Sequence, residues 1–427
     1  MQPDVVVVGG GVIGLSVAWE AAAAGMSVTL ADPRPGRGAG WAAAGMLAPT
    51  GEAHFGEDAL TMLNVVAARA WPAFAHTLQE SSGRSVHYVD DGTLLIAVDA
   101  SDRAASDDLL AHQLALGLDA RRLSAAECRT AEPLLAPGIR GGADLSEDHQ
   151  VDNRSVLEAL VAACAAEGVT VVEEEVSRVE VQDGCVTGVV MADGRRCHAG
   201  AVVVAAGCHS GQLPGIPDPF LPPVRPVKGL TVRLRANAGV PTLARTVRGL
   251  VHGRSCYLVP RKDGSLVVGA TVEEKGFDLS VQAGAVGDLL NDARSLIPTL
   301  SEYELFDTTT GLRPGSPDNA PIVGVTGLGG LLMATGHYRN GFLLAPVTAD
   351  EVVRLLGEMI DGRESTGGEL NGREGAGAPA ATENSWPGGF SPFAPGRFTP
   401  ATRTAETGSP NLPTPPLQEP DVSRVGR

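Results

Sequence analysis

Asp4-Val5-Val6-Val7-Val8-Gly9-Gly10-Gly11-Val12-Ile13-Gly14 decides the fold of this chain. The run of valines predicts a strand buried on both faces, as in a parallel sheet. Gly9, Gly11 and Gly14 fit the pattern G-x-G-x-x-G. Residues 15–24 predict a helix stopped by Gly25, and residues 27–31 a second strand ending at Asp32. Asp32 lies 18 residues beyond Gly14, close to the spacing of ~20 expected for the acid of a dinucleotide fold.

Each residue type here has a chemical reason. Gly9 permits a tight turn, Gly11 lets backbone approach a pyrophosphate, and Gly14 lets the helix lie close to the strand. The helix N-terminus offers N–H groups and partial positive charge to phosphates. Asp32 can accept hydrogen bonds from both ribose hydroxyls of an adenosine, and it would repel a 2′-phosphate. Strand, turn, helix, strand and acid in register predict dinucleotide binding, which a lone glycine-rich turn would not.

The 427 residues suffice for a large core and more than one domain. An apolar fraction of 43% with 19% charged residues describes a globular protein, and a net charge of -17 excludes a basic nucleic-acid surface. The six cysteines form no C-x-x-C and no zinc-ligand spacing. No stretch approaches the 18 or so apolar residues of a membrane span, and the first strand begins too close to Met1 to leave room for a signal peptide. These features predict a cytoplasmic enzyme with reduced cysteines, no metal, no nucleic acid and no membrane.

Further along, residues 57–81 read as a helix, 86–88 and 92–98 as strands, and 101–118 as a helix. Ser124 and Glu127 form a capping box. Asn153 is placed to cap a helix running to about residue 166. Residues 168–172, 186–191 and 201–207 read as strands, the last able to return the chain to the first sheet. From Pro222 the pattern becomes antiparallel: strands at 224–234, 256–260 and 266–271, the last two joined by a turn at 261–264. A helix at 281–297 ends at Pro298. Residues 310–315, 322–324 and 331–335 read as a return to the first domain, followed by a loop at 336–341 and a helix from about 345 to 359. Beyond 363, Gly, Pro, Ser and Thr dominate, so residues 364–427 are expected to be a disordered tail, with Trp386, Phe390 and Phe393 as isolated apolar residues in a linker.

Several of these stretches resemble the FAD-dependent amine and D-amino-acid oxidase family, and within it glycine oxidase of the thiamine-pathway type. They are residues 5–14, Ala-Ala-Ala-Gly-Met-Leu at 42–47, Pro-Val-Lys-Gly at 226–229 and Cys-Tyr-Leu-Val-Pro-Arg at 256–261. To these are added Val-Val-Gly-Ala-Thr at 267–271, Gly-Leu-Arg-Pro-Gly at 311–315 and Gly-His-Tyr-Arg-Asn-Gly at 336–341. The resemblance implies an α/β fold: a Rossmann-like FAD-binding domain (1–87, 148–226 and 310–363) plus a mostly antiparallel α+β substrate-binding domain (88–147 and 227–309).

The resemblance also implies residue roles. Noncovalent FAD would lie along Gly9, Gly11, Ile13 and Gly14 at the pyrophosphate, with Asp32 and Pro33 near the ribose. Val176 would flank the adenine, and Ala43, Ala44, Gly45 and Met46 the isoalloxazine. His337, Tyr338, Arg339, Asn340, Gly341, Phe342 and Leu343 would line the flavin with backbone. Arg313 would clamp the carboxylate of a small amino acid, Tyr257 would donate its hydroxyl to it, and Arg339 would add a polar contact. Relatives place a methionine near Val272 and a histidine near Ser255, so the pocket here is roomier. The implied reaction is oxidative deamination of glycine, sarcosine or small D-amino acids. It gives imine or glyoxylate, ammonia and, from dioxygen, hydrogen peroxide, with hand-over of product to thiazole synthesis by a homo-oligomer. Competing readings are a dehydrogenase that reduces a quinone and a non-catalytic flavoprotein scaffold.

Overall fold

The computed structural model describes residues 2–366 and 389–398. A six-stranded sheet runs in the order Ile322–Val325, Leu331–Thr335, Ala201–Val204, Val5–Val8, Val28–Ala31, Thr170–Val172. All its pairings are parallel except the first. Strand alternation divides the central valines between two cores. Val5 and Val7 face helices Val12–Ala23, Asp58–Ser82, Asn153–Ala166 and Gly341–Thr366. Val6 and Val8 face a three-stranded antiparallel sheet of Val176–Gln182, Cys185–Met191 and Arg196–His198. Burial on both faces is why four adjacent valines are needed here.

A second, eight-stranded sheet runs Tyr303–Gly315, Arg225–Ala236, Ser265–Gly269, Arg254–Pro260, Thr246–Val251, Thr93–Ala97, Gly142–Leu145, Arg121–Leu123. It is antiparallel except where Thr246–Val251 meets Thr93–Ala97. One face is covered by helix Ala283–Leu296. The other meets the short segment after the first βαβ unit: Thr231 Oγ1 donates to Ala42 O at 2.8 Å, and Ala44 packs on Val259 and Val267. This contact sets the second sheet against the segment that follows the first βαβ unit.

The structure corrects several expectations. Residues 86–88 form no strand; Val89 makes an isolated bridge to Gln150, and His87 at φ 51° breaks extended geometry. Asp152, not Asn153, caps its helix by accepting from the N–H groups of Arg154 and Ser155. Asn153 instead donates to Gly40 O and Trp41 O and accepts from Arg233. The last helix begins at Gly341 rather than near residue 345, directly from the loop. Its internal Pro346 has no N–H for Phe342 O, and the Trp71 indole N–H supplies that bond at 3.1 Å. Residues 310–315 are the end of one strand, Tyr303–Gly315, paired along its length with Arg225–Ala236. The expected boundaries at 226/227 and 309/310 therefore fall inside paired strands.

Residues 389–398, expected to be a structureless linker, form two 3₁₀ turns that dock beside strand Ile322–Val325. Phe390 and Phe393 are buried in the helical core, and the Arg397 guanidinium holds both oxygens of Asp318 at 2.9 and 3.0 Å. Trp386 and the rest of 367–427 lie outside the described residues. Among the described residues no helix is long and apolar enough to cross a membrane, and all six cysteines are unpaired.

Candidate active site

The nucleotide end is built by close approach. Gly9 has φ 104°, and a Cβ there would stand 2.5 Å from Ala205 O. A Cβ on Gly14 would strike Gly9 O, so the helix sits directly on the turn. Gly11 is different: a Cβ there would meet no atom within 4 Å, and as N-cap of Val12–Ala23 it leaves the first turn without a side-chain cap. Uncapped N–H groups beside open room, at a positive helix end, suit a pyrophosphate. Asp32 accepts from Gly10 N and Arg34 N, each at 2.7 Å. Its carboxylate thus fixes the glycine turn to the second strand, with lone pairs to spare for ribose hydroxyls. Pro33 is exposed next to it, Ile13 is buried, and Val176 packs with Val6, Val8 and Ala31.

The middle of the site is a pinned segment, residues 42–47. Arg261 donates to Ala44 O, Gln150 Oε1 and Val151 O. Gly45 O accepts from Val151 N, and Met46 pairs with Gln150. Ala43 and Met46 remain half-buried between the two sheets. Opposite, the 336–341 loop is tied to strand Tyr303–Gly315: Tyr338 N donates to Pro314 O at 3.0 Å, and His337 bridges Gly315. His337 Nε2 lies 2.9 Å from Thr348 Oγ1, and burial pushes the imidazole down to about 3. Burial thus favours the neutral ring, whose Nε2 is engaged with Thr348. Asn340 O accepts from Leu344 N to open the last helix, whose Phe342 and Leu343 are buried.

Arg313 and Tyr257 come together on the sheet face that meets residues 42–44. Each lies over a glycine: a Cβ on Gly229 would collide with the Arg313 guanidinium, and one on Gly269 with the Tyr257 ring. The two glycines clear a floor for the fork and the phenol. Arg313 Nη1 donates to Thr271 O at 3.1 Å and weakly to Lys228 O, which orients the group. No acidic side chain is in ion-pair range of it among the described residues. Behind this face the fully buried Lys228 holds Ser280 O at 2.6 Å and Gln282 Oε1 at 2.8 Å, anchoring the segment that follows Val272.

Arg339 does not stand free. Its Nε lies 2.9 Å from Glu52, and Glu52 also pairs with Arg248 Nη2 at 2.7 Å. The two guanidiniums outweigh the cost of burial and hold the Glu52 carboxyl well below the usual range. Asp148 accepts from Thr50 N and Gly51 N at 2.8 Å each and fixes the Glu52 loop; burial pushes it up to about 7. No local pattern singles out Glu52, Arg248 or Asp148: Glu52 lies just past the 42–47 motif, and Arg248 sits on a strand, Thr246–Val251, whose central Arg-Gly conceals its alternation.

A family model for FAD dependent oxidoreductases matches residues 4–355. The chain belongs to this family. It is 34% identical over 361 residues to the bifunctional protein ThiO/ThiG of Trichormus variabilis, covering 84% of this chain and 53% of that one. The chain thus spans about half the length of such curated relatives. It is 32% identical over 369 residues to a glycine oxidase of Geobacillus kaustophilus, covering 85% and 94%. The crystal structure of glycine oxidase from that organism superposes with a TM-score of 0.78 at 30% identity, covering 92% of this chain and 98% of that one. The cofactor of this FAD-dependent oxidoreductase is therefore FAD, and the resemblance read from the motifs holds. The uncapped helix end at Gly11, beside open room, fits the pyrophosphate of such a dinucleotide.

Proposed function

We propose that the chain oxidises glycine, and with it sarcosine and small D-amino acids, to the imine and then glyoxylate and ammonia, with hydrogen peroxide from dioxygen. The observation that carries this reading is the Arg313 fork, oriented by Thr271 O and bare of acidic partners, beside Tyr257 on the face toward residues 42–44. FAD, when bound along the glycine turn and the 42–46 and 337–343 segments, supplies the acceptor for the α C–H hydride. Arg313 takes the substrate carboxylate through two parallel hydrogen bonds, and Tyr257 donates a third. Holding the carboxylate fixes the direction of the α C–H bond. Arg339, steered by Glu52, closes the other side with positive charge. Exposed Val272 and Ser255 leave space for an N-methyl or a small side chain. In this reading the amine enters unprotonated, and hydride loss asks for no base from the protein.

The ThiO/ThiG relatives support a role in supplying the thiazole moiety of thiamine. In that role the imine is handed on before it hydrolyses, and the chain works as a homo-oligomer in the cytoplasm. The test is an anaerobic visible spectrum of the purified yellow protein before and after glycine. Bleaching, with peroxide on readmission of air, is the expected result. A flavin indifferent to glycine but bleached by another amine would move the substrate. Bleaching without peroxide would move the chain to the dehydrogenases.

A further inference from the structure

Residues 389–398 grip the framework of the site from outside. Strand Tyr303–Gly315, which carries Arg313, ends in a turn at 316–320 that leads to the edge strand Ile322–Val325. That strand pairs with Leu331–Thr335, which runs directly into the 336–341 loop. Gly315 bridges His337, and Tyr338 N donates to Pro314 O, so the Arg313 strand and the loop close on each other. The 316–320 turn lies at the point where the chain leaves one of them for the other.

The C-terminal segment wraps the edge strand and ends on this turn. Phe390 and Phe393 enter the helical core with Ala320 and Val323, whereas Phe398 packs against the opposite core, which holds Ile322. A Cβ on Gly324 would stand 3.4 Å from Pro395. Arg397 then reaches across. Its Nη1 donates to Phe393 O at 2.7 Å within the segment, while its fork takes both oxygens of Asp318 and its Nη2 also donates to Ala320 O at 3.1 Å. A fork on a carboxylate fixes direction as well as position. Asp318 in turn accepts from Ala320 N at 3.2 Å, and the buried Ser316 hydroxyl donates to Ala320 O at 2.7 Å. Ser316 O accepts from Arg225 at 2.9 Å, one residue from Gly315. Asn319, at φ 59°, donates to Glu57 at 2.7 Å, which ties the same turn to the start of helix Asp58–Ser82.

We propose that Arg397 is a positioning residue for the site: by holding the 316–320 turn it fixes the strand end that carries Arg313 and the entry to the 336–341 loop. The inference rests on the roles given to Arg313 and to that loop in the proposed function. Arg397 touches neither flavin nor substrate. It keeps their two supports in one arrangement, so that binding need not order them.

The experiment uses the full FAD-loaded chain. Arg397→Gln is expected to raise the dissociation constant of FAD and KM for glycine each about fivefold, with kcat within about twofold of the unaltered protein. Flavin release is read from the fluorescence of free FAD on serial dilution. Arg397→Lys, which keeps the charge without the fork, should restore part of both losses. Because the effect passes through Asp318, Arg397→Gln combined with Asp318→Asn should lose no more than Arg397→Gln alone. FAD affinity and KM unchanged in Arg397→Gln would overturn the proposal, whatever the urea midpoint does. So would additive losses in the double variant, or a fall in kcat alone. Arg313→Ala is the separate control: an unchanged KM for glycine there would refute the clamp, and Arg397 would then stand or fall on FAD affinity.

Discussion

At the scale of the residue, the site is a set of guanidinium groups distinguished by their partners. Arg313 is oriented by carbonyls and left open, whereas Arg339 and Arg248 are tied to one carboxylate. Arg313→Ala removes a charge-assisted fork worth about 3 kcal/mol, so KM for glycine should rise on the order of 100-fold while the flavin stays bound. Steady-state kinetics and the flavin absorbance of the variant read both. His337 carries a second prediction. Burial lowers its pKa in the fold to about 3, below the ~6.5 of an unfolded chain. The unfolded state then binds the extra proton between those values, so this residue makes stability rise with pH from about 3 to about 6.5. Urea midpoints across that range should show the slope, and His337→Gln should reduce it. Arg313, Tyr257 and the 336–341 loop were proposed from local motifs that resemble the family's, and the structure brings Arg313 and Tyr257 to one sheet face. Glu52, Arg248 and Asp148 were not, because each acquires its partners from residues remote in the chain.

At the scale of the element, local rules held where local chemistry decides the outcome. Ser124 and Glu127 make the reciprocal capping box that their spacing predicts. The helix at Gly341–Thr366 shows the reverse: Pro346 argues for a later start, yet the helix continues because Trp71 from Asp58–Ser82 satisfies the freed carbonyl. Trp71→Phe should leave Phe342 O unpaired and cost about 1–3 kcal/mol in urea unfolding. Helices Val12–Ala23 and Gly341–Thr366 also face each other through two acids. Burial, and then Asp350, raise Glu20 well above the ordinary carboxyl range. A raised folded pKa means stability that is lost as pH climbs through it. The stability that Glu20 contributes should therefore fall as pH rises above the ordinary carboxyl range, and Glu20→Gln should flatten that fall in a series of urea midpoints against pH.

At the scale of the whole molecule, a helix-flanked parallel sheet and an antiparallel sheet meet across residues 42–47, and a C-terminal segment braces the edge strand Ile322–Val325. Phe393 is 2% exposed within the helical core although it lies far beyond the last helix. Phe393→Ala should cost about 3–5 kcal/mol, read as a lower urea midpoint; an unchanged midpoint would show that the segment does not hold its place in solution. By itself, the sequence determined the first βαβ unit and its glycine turn, because these depend on glycine sterics and strand alternation, while Arg313 and Tyr257 were named only through motifs that resemble the family's. Tertiary structure alone decided that Glu52 joins Arg248 to Arg339, that residues 310–315 complete the second sheet, and that Phe390 and Phe393 are core. The physical reason is that burial and charge pairing are set by which distant surfaces meet, and neither periodicity nor composition records that meeting.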